Sequence, residues 1–471
     1  MPDLDFLFYP RSIAIVGTSS QPDTYANRNF LLPLLAFRYP GRLYPVNPKH
    51  DEVLGLQCYP SVRDIPGTVD YVICSLPAKS VPQVMRDCAA ARVKVAAVFS
   101  AGFSETGDDE DARLEREVAD IARSGNVRLI GPNCLGVHCP PAGISLAGDI
   151  PRDSGRVSFI SQSGGNAREL ILAGAQRQVL LNKLVSYGNA VDLNEADFME
   201  YFAGDAGTEV IAGYIEGLKE PGRFPRALRL AADRKPVVLL KGGLTAAGTG
   251  AVQSHTAALA GSREMWDVLC RQAGAIQVED MGDMLDTLLA FIMLELPRGR
   301  RVGMVGIGGG ASVQAADDLE RAGLLLPPFP TELRQELKEF VPAAGSGLRN
   351  PVDVAADVYW DAASFARTAE VVANWDGVDI LLVMLNATAT LRRGVNTMKA
   401  QLDALLDVGR SAGKPMAIVL KSGGIRRAEE MGAEVEGGCL EAGFPVFRSC
   451  SHAARSIDRM IAYHQKTEEK S

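Results

Sequence analysis

Histidine is scarce: His50, His138, His255, His452 and His464 are the only five among 471 residues. None stands in an H-x-x-H or H-E-x-x-H pattern, and the eight cysteines, at 58, 74, 88, 134, 139, 270, 439 and 450, include no C-x-x-C pair. No resident metal is therefore expected, and the scattered thiols read as reduced. Long apolar runs are missing too. The best, Met284 to Leu296, is broken by Asp286 and Glu295 and reads as a buried helix rather than a membrane span. No secretory leader pattern opens the sequence, so a cytoplasmic protein is expected. Basic charge is not in excess: the net charge of −8 argues against a general nucleic-acid binder. A G-x-x-x-x-G-K-[ST] loop is absent, so the chain offers no evident site for a nucleoside triphosphate. Without a G-x-S-x-G elbow, serine-hydrolase chemistry is disfavoured.

What is present is β/α alternation in a chain too long for one core. Buried-strand patterns recur at 12–17, 43–47, 71–77, 93–99 and 127–131, with helical stretches at 81–91 and 110–124. Alternation of this kind predicts a doubly wound parallel sheet whose ligands sit at the carboxyl ends of the strands. Those ends are Gly17-Thr18-Ser19, Asn47-Pro48-Lys49, Leu76-Pro77, Ser100 to Glu105 including Phe103, and Gly131-Pro132-Asn133. The first lacks the later glycines of G-x-G-x-x-G, so a nucleotide-like ligand other than NAD is favoured. Lys49 reads either as a point charge for a phosphate or as a solvated surface lysine.

Pro/Gly-bearing stretches at 140–143 and 151–155 mark a linker. A second series follows, with strand 156–160, the loop Ser161-Gln162-Ser163-Gly164-Gly165 and a helix from about Asn166. This is an anion site at a helix start, or a plain tight turn. A third series begins at Arg301 and repeats three landmarks in order. Ser163-Gly164-Gly165 matches Gly308-Gly309-Gly310, Gly188 to Asp192 matches Arg349 to Asp353, and Lys235 to Gly243 matches Lys414 to Gly424. That order predicts a duplicated flavodoxin-like unit.

The copies differ after the third landmark: one carries His255 within Gly248 to Gly261, and the other has no histidine. The reading here is strand, flexible glycine loop, then an imidazole just before an Ala-rich helix capped by Ser254 or Thr256. Placed there it would accept a phosphoryl group while helix N–H groups hold the oxygens; the alternative is an incidental surface histidine on a capping loop. A phosphorylated imidazole needs an acid to orient its other nitrogen. Glu216, ending an apolar strand before Gly217, is placed for that, or for a helix cap. Asn189 and Asp192 are similar candidates, but their recurrence as Asn350 and Asp353 favours a turn role. His50 and His138 read as loop residues of the first segment, or as residues touching its ligand, and His452 and His464 as surface or packing residues.

Together these segments resemble the NDP-forming acyl-CoA synthetases, specifically the α subunit of the ADP-forming acetate–CoA ligase type. The resemblance rests on Val16-Gly17-Thr18-Ser19, Val46-Asn47-Pro48-Lys49, Gly131-Pro132-Asn133, Ser161 to Gly165, Tyr214 to Gly217 and Ser254-His255-Thr256. It implies a Rossmann-like CoA-binding domain over 1–145 and two succinyl-CoA ligase-type flavodoxin-like domains over 146–298 and 299–471. It also implies acyl transfer between CoA and phosphate, with a phosphoryl group visiting His255 steadied by Glu216. Gly17, Ser19, Asn47, Lys49, Pro77, Phe103 and Asn133 would hold CoA, and Ser161, Ser163, Gly164 and Gly165 the phosphate. ATP or ADP and Mg²⁺ would belong to an ATP-grasp β subunit, as α2β2. The chain departs from the family in carrying Leu244 for Arg and Ala257 for Gly. A non-catalytic CoA-sensing module and a succinate-type ligase are the competing readings.

Overall fold

The structure, a computed structural model, describes residues 3–145, 147–256, 262–342 and 344–469; for residues 251 and 253–256 it describes the backbone alone. The chain forms two compact units, residues 1–175 with 179–284, and residues 176–178 with 285–471. Among the described residues no helix is long and apolar enough to cross a membrane.

The first unit holds two large sheets. Strands β1 (Ser12–Val16), β2 (Arg42–Val46), β3 (Tyr71–Cys74), β4 (Val95–Val98) and β5 (Arg128–Ile130) are parallel in the order β2-β1-β3-β4-β5. Every residue of β1 is buried because both faces are covered. Its two-residue period divides the core: Ile13 and Ile15 join one apolar cluster, Ala14 and Val16 another beneath helices Val81–Ala90 and Asp109–Ser124. The second sheet comprises β6 (Gly136–His138), β7 (Val157–Ser161), β8 (Leu181–Ser186), β9 (Val210–Ile215), β10 (Val237–Lys241) and β11 (Ile276–Val278), ordered β11-β10-β9-β7-β8-β6. Only β6 runs antiparallel, along β8.

In the second unit, β12 (Val302–Gly306), β13 (Gly347–Leu348), β14 (Val352–Asp353), β15 (Ile380–Asn386), β16 (Met416–Lys421) and β17 (Val446–Phe447) are ordered β17-β16-β15-β12-β14-β13. The parallel strands of both later sheets therefore follow one order, second-first-third-fourth-fifth, each with an antiparallel edge strand. That is the flavodoxin-like order, and the repeated landmarks mark a repeated topology.

His138 differs from its sequence reading. It lies in edge strand β6, opposite Leu184, at 2% exposure, with the Phe37 ring edge-on at 6.2 Å. The alternation Gly-Val-His was too short to read as a strand. Burial lowers the His138 pKa from 6.5 to about 4, and Nδ1 has no hydrogen-bond partner. A folded-state pKa below the unfolded value means that the unfolded chain takes up the proton first. The contribution is intact above pH 6.5 and is lost as pH falls from 6.5 toward 4, about 3 kcal/mol in all. Urea melts at pH 7 and pH 4.5 should show His138→Phe losing less stability over that interval than the parent chain.

Candidate functional site

The order of the first sheet reverses at β1, and a cavity of about 330 Å³ opens at the strand ends there, with Gly17, Asn47, Lys49 and Leu76 in its wall. Gly17 has φ of +101°, and a Cβ would stand 2.5 Å from the Ser75 carbonyl oxygen. Only glycine lets the β1 and β3 loops come this close. Asn47 ties the neighbouring loop in: its Nδ2 donates to Thr18 O at 2.6 Å and its Oδ1 accepts from Lys49 N at 3.0 Å. Lys49 is exposed at the rim. Ser19 is held through buried Asn27, whose Nδ2 donates to Ser19 O at 2.7 Å and Gln21 O at 2.9 Å. Sequence reasoning missed Asn27, which is six to eight residues from the loop positions it holds.

The other first-sheet candidates lie at strand ends but differ in access. Pro77 is exposed beside Leu76, whereas Phe103 is fully buried in the helix-covered core, leaving only its backbone to face a ligand. Asn133 adopts φ of +57° and donates its N–H to Ser100 O at 2.9 Å. Asn189 is buried and donates from Nδ2 to Glu105 and Glu115, at 2.6 and 2.7 Å. Asp192 forms a bidentate pair with Arg128 at 2.9 and 3.0 Å.

The second constellation gathers where β7 and β9 end side by side. The helix after β7 starts at Gly164, two residues earlier than expected, and runs to Gln176. Ser163 Oγ accepts the Asn166 N–H at 3.3 Å, and the buried Ser161 hydroxyl donates to Ser163 O at 2.7 Å. Both hydroxyls thus shape the loop. A Cβ on Gly164 would meet Leu135 Cγ at 2.9 Å; Gly165 meets nothing nearer than Ser163 Oγ at 3.7 Å. Gln162, only 2% exposed, bridges to β9: its Oε1 accepts the backbone N–H groups of Glu216 and, at 2.9 Å, Gly217. This side chain went unnoticed in the sequence because its partners are more than fifty residues away.

Glu216 is 4% exposed. It hydrogen-bonds Tyr214, whose phenol is pushed up by burial and then by this carboxylate. Lys241, at the end of β10, donates from Nζ to Glu216 O at 2.7 Å and to Gly242 O. Burial lowers the Lys241 pKa, and the Glu216 charge opposes that shift. A Cβ on Gly242 would stand 2.6 Å from the Tyr214 hydroxyl, so a larger residue there would displace that phenol.

The segment after β10 departs from expectation. His255 lies within a helix, Ala246–Thr256, where a flexible loop is expected; the Ala-rich stretch expected to form a helix after it lies outside the described residues. Thr245 starts this helix, its Oγ1 accepting Gly248 N at 3.0 Å, while Thr249 Oγ1 donates to Gly243 O at 3.0 Å. Val252 packs on Gly243. These contacts outweigh the roughly 1 kcal/mol that each of Gly248 and Gly250 costs a helix. The helix packs against the Ser104–Thr106 turn, and Leu244 packs on the apolar core, which accounts for an aliphatic residue there. The His255 side chain and the segment 257–261 lie outside the described residues.

In the third sheet the matching helix, Gly309–Arg321, is closed from within: Gly308 N donates to Asp353 Oδ1 at 2.6 Å. A carboxylate of the chain itself occupies the place an anion would take. Among the described residues no group of three or more His, Cys, Asp or Glu is arranged to hold a metal ion.

Removing the Gln162 bridge should have a local effect. Gln162→Ala strands two buried N–H donors and should cost about 2–4 kcal/mol in urea unfolding. Gln162→Glu keeps an acceptor and should recover part of it.

Two family models match the chain: a CoA binding domain over residues 11–140 and a succinyl-CoA ligase-like flavodoxin domain over 154–291. The chain is 38% identical over 389 residues to acetate–CoA ligase (ADP-forming) I of Archaeoglobus fulgidus, covering 82% of this chain and 56% of that protein. It is 35% identical over 381 residues to the α subunit of acetate–CoA ligase (ADP-forming) II of Pyrococcus furiosus, covering 81% and 82%. In structure it is similar to a dinucleotide-forming acetyl-coenzyme A synthetase 1 from Ca. Korarchaeum cryptofilum in complex with phosphate and ADP, with TM-score 0.86, 31% identity, and 99% and 98% of the two chains covered.

Proposed function

The chain belongs to the family of ADP-forming acyl-CoA ligases, and from that premise we propose that it is the α subunit of an acid–CoA ligase interconverting acid + CoA + ATP and acyl-CoA + ADP + phosphate. The observation that carries this reading is the joining of the Ser163–Gly165 helix start to Glu216 through Gln162, with Lys241 holding the same segment to β10, in the same compact unit as the cavity beside Gly17. A helix start with free N–H groups suits a phosphate or acyl phosphate, and phosphoryl transfer needs mainly positioning and charge stabilisation.

Residues 1–145 form the CoA-binding domain, 146–298 the ligase domain carrying His255, and 299–471 its copy. Gly17, Ser19, Asn47 and Lys49 hold the nucleotide end of CoA, with Pro77, Asn133 and the Phe103 backbone along the strand ends. Gly164 and Gly165 offer N–H groups to the phosphate, while Ser163, whose N–H donates to Ser161 Oγ at 3.2 Å, and Ser161 shape that loop. Phosphate attacks the thioester, releasing CoA thiol and an acyl phosphate, and the phosphoryl group passes to His255 as the carboxylate leaves. Its delivery to ADP requires an ATP-grasp β partner, in an α2β2 assembly, which brings Mg²⁺ with the nucleotide. The reaction belongs in the cytoplasm.

Incubating the purified chain with acetyl-CoA and labelled phosphate tests this. Protein-bound label equal to the thiol released supports the ligase; CoA binding with no label taken up would support a sensor instead. Faster labelling from succinyl-CoA would identify a succinate-type ligase.

A further inference from the structure

Tyr214 and Glu216 stand two positions apart at the end of β9, so their side chains leave the sheet on one face. The backbone fixes Tyr214 in place. Its carbonyl oxygen accepts the Gln162 N–H at 3.1 Å, and the residue lies opposite Ser161 of β7 and Leu240 of β10. The phenol is half-buried, and its hydroxyl sits where three segments meet. A Cβ on Gly242 would stand 2.6 Å from that oxygen and 3.4 Å from Glu216 Cγ, so hydroxyl and carboxylate arm both lie against the segment leaving β10. Asn166, whose own N–H is held by Ser163 Oγ at 3.3 Å, reaches the hydroxyl from the first turn of helix Gly164–Gln176. The Glu216 side chain is the third partner.

The directions of these hydrogen bonds follow from charge. Burial raises the Tyr214 pKa first, and the Glu216 charge and hydrogen bond raise it further, as they do when a phenol donates to a carboxylate. The Asn166 bond opposes the rise, as it does when an amide donates to the phenol oxygen. Asn166 Nδ2 therefore donates to Tyr214 Oη, and Tyr214 Oη donates to the Glu216 carboxylate. This bridge begins one residue after Gly165, in the loop proposed for phosphate, and ends on the acid proposed to steady the imidazole. A carboxylate only 4% exposed is held in one orientation by such donors. Phenylalanine would fill the same space and break the bridge at its middle.

We propose that Tyr214 is a positioning residue for phosphoryl transfer: with Asn166 it forms a hydrogen-bonded bridge that ties the orientation of Glu216 to the phosphate loop. The proposal rests on the ligase reading above. It gives Tyr214 no contact with substrate; the hydroxyl acts through the Glu216 carboxylate alone.

Tyr214→Phe should lower the single-turnover rate of labelling from acetyl-CoA and phosphate about tenfold, the worth of one hydrogen bond to a charged group, with the KM for acetyl-CoA within about twofold. A double-mutant cycle separates positioning from packing. Adding Tyr214→Phe to Glu216→Ala should cost less than about twofold, because the group it acts through is already gone. A tenfold loss in both backgrounds, or no loss in the parent, would overturn the proposal. Asn166→Ala should reproduce about a threefold part of the Tyr214→Phe loss, and circular-dichroism melting checks that each variant folds. A second measurement needs no turnover: magnetic resonance of the full chain with its tyrosines labelled at the ring carbon that bears the hydroxyl. The Tyr214 signal, identified by its loss in Tyr214→Phe, should shift in both Glu216→Gln and Asn166→Ala; a signal unmoved in either overturns the bridge. If the parent chain takes up no label, the ligase reading fails, and this signal alone decides whether Tyr214 ties Glu216 to the loop.

Discussion

Replacing His255 by alanine is expected to remove all acid-labile phosphate from the protein and to lower ligase turnover on the order of 10⁴-fold or more. The argument begins with what the chain lacks. It has five histidines; His138 is buried in an edge strand, and His452 bonds Asp286 through Nδ1 at 2.6 Å in the other compact unit. His50 stands after Asn47-Pro48-Lys49, beside the cavity proposed for CoA, and His464 is on the last helix. His255 is on the helix that leaves β10 directly after Lys241 and Gly242, both of which touch the Glu216 segment. Loss of the proposed covalent carrier would sever the route between acyl phosphate and nucleotide, which no positioning effect restores. Labelled phosphate, acetyl-CoA and an acid quench measure it, with CoA binding as the control: the Gly17 cavity is built from other elements, so the CoA Kd should stay within about twofold. Undiminished label in His255→Ala would assign the phosphoryl group to another residue.

Much of this arrangement was legible in the sequence because parallel strands buried on both faces leave short, continuous apolar runs. Ser12–Val16 and Val157–Ser161 are examples, and glycine loops end them where the chain must turn. The three repeated landmarks correspond to a shared strand order. Legibility failed where a contact is not local. Gln162 and Asn27 act on loops they do not adjoin, and their amides carry no mark in sequence of what they bridge. Helix Ala246–Thr256 reads as a loop because Gly248 and Gly250 disfavour helix, yet the Thr245 cap and the seat of Val252 on Gly243 override propensity. The copies also looked more alike than they are. Asn350 donates to Val302 O at 2.7 Å and fastens its own sheet, whereas Asn189 faces two carboxylates. Asp353 closes the third-sheet helix start that its counterpart Asp192, paired with Arg128, leaves open in the second.

Glu216→Gln should lower the rate of phosphoryl transfer about 10²–10³-fold, the effect of removing one preorganised electrostatic partner from a reaction of this kind. The substitution is nearly isosteric, so the Gln162 bond to the 216 backbone and the Lys241 bond to Glu216 O both remain. What changes is charge. Glu216 is the carboxylate that raises the Tyr214 phenol and holds the Lys241 ammonium nearer its ordinary range against burial. Without it the Lys241 pKa falls further, so deprotonation of Lys241 should move to lower pH and narrow the alkaline side of the rate profile. In the proposed mechanism the His255 imidazole would also lose the anion that favours its protonated form. The defect should appear in kcat, with the KM for acyl-CoA within about threefold, because the cavity proposed for CoA is built from other elements. Single-turnover labelling across pH 6–10 separates the two contributions. An unchanged rate at neutral pH would confine Glu216 to holding Tyr214 and the loop, and a rise in KM alone would place it against the thioester instead.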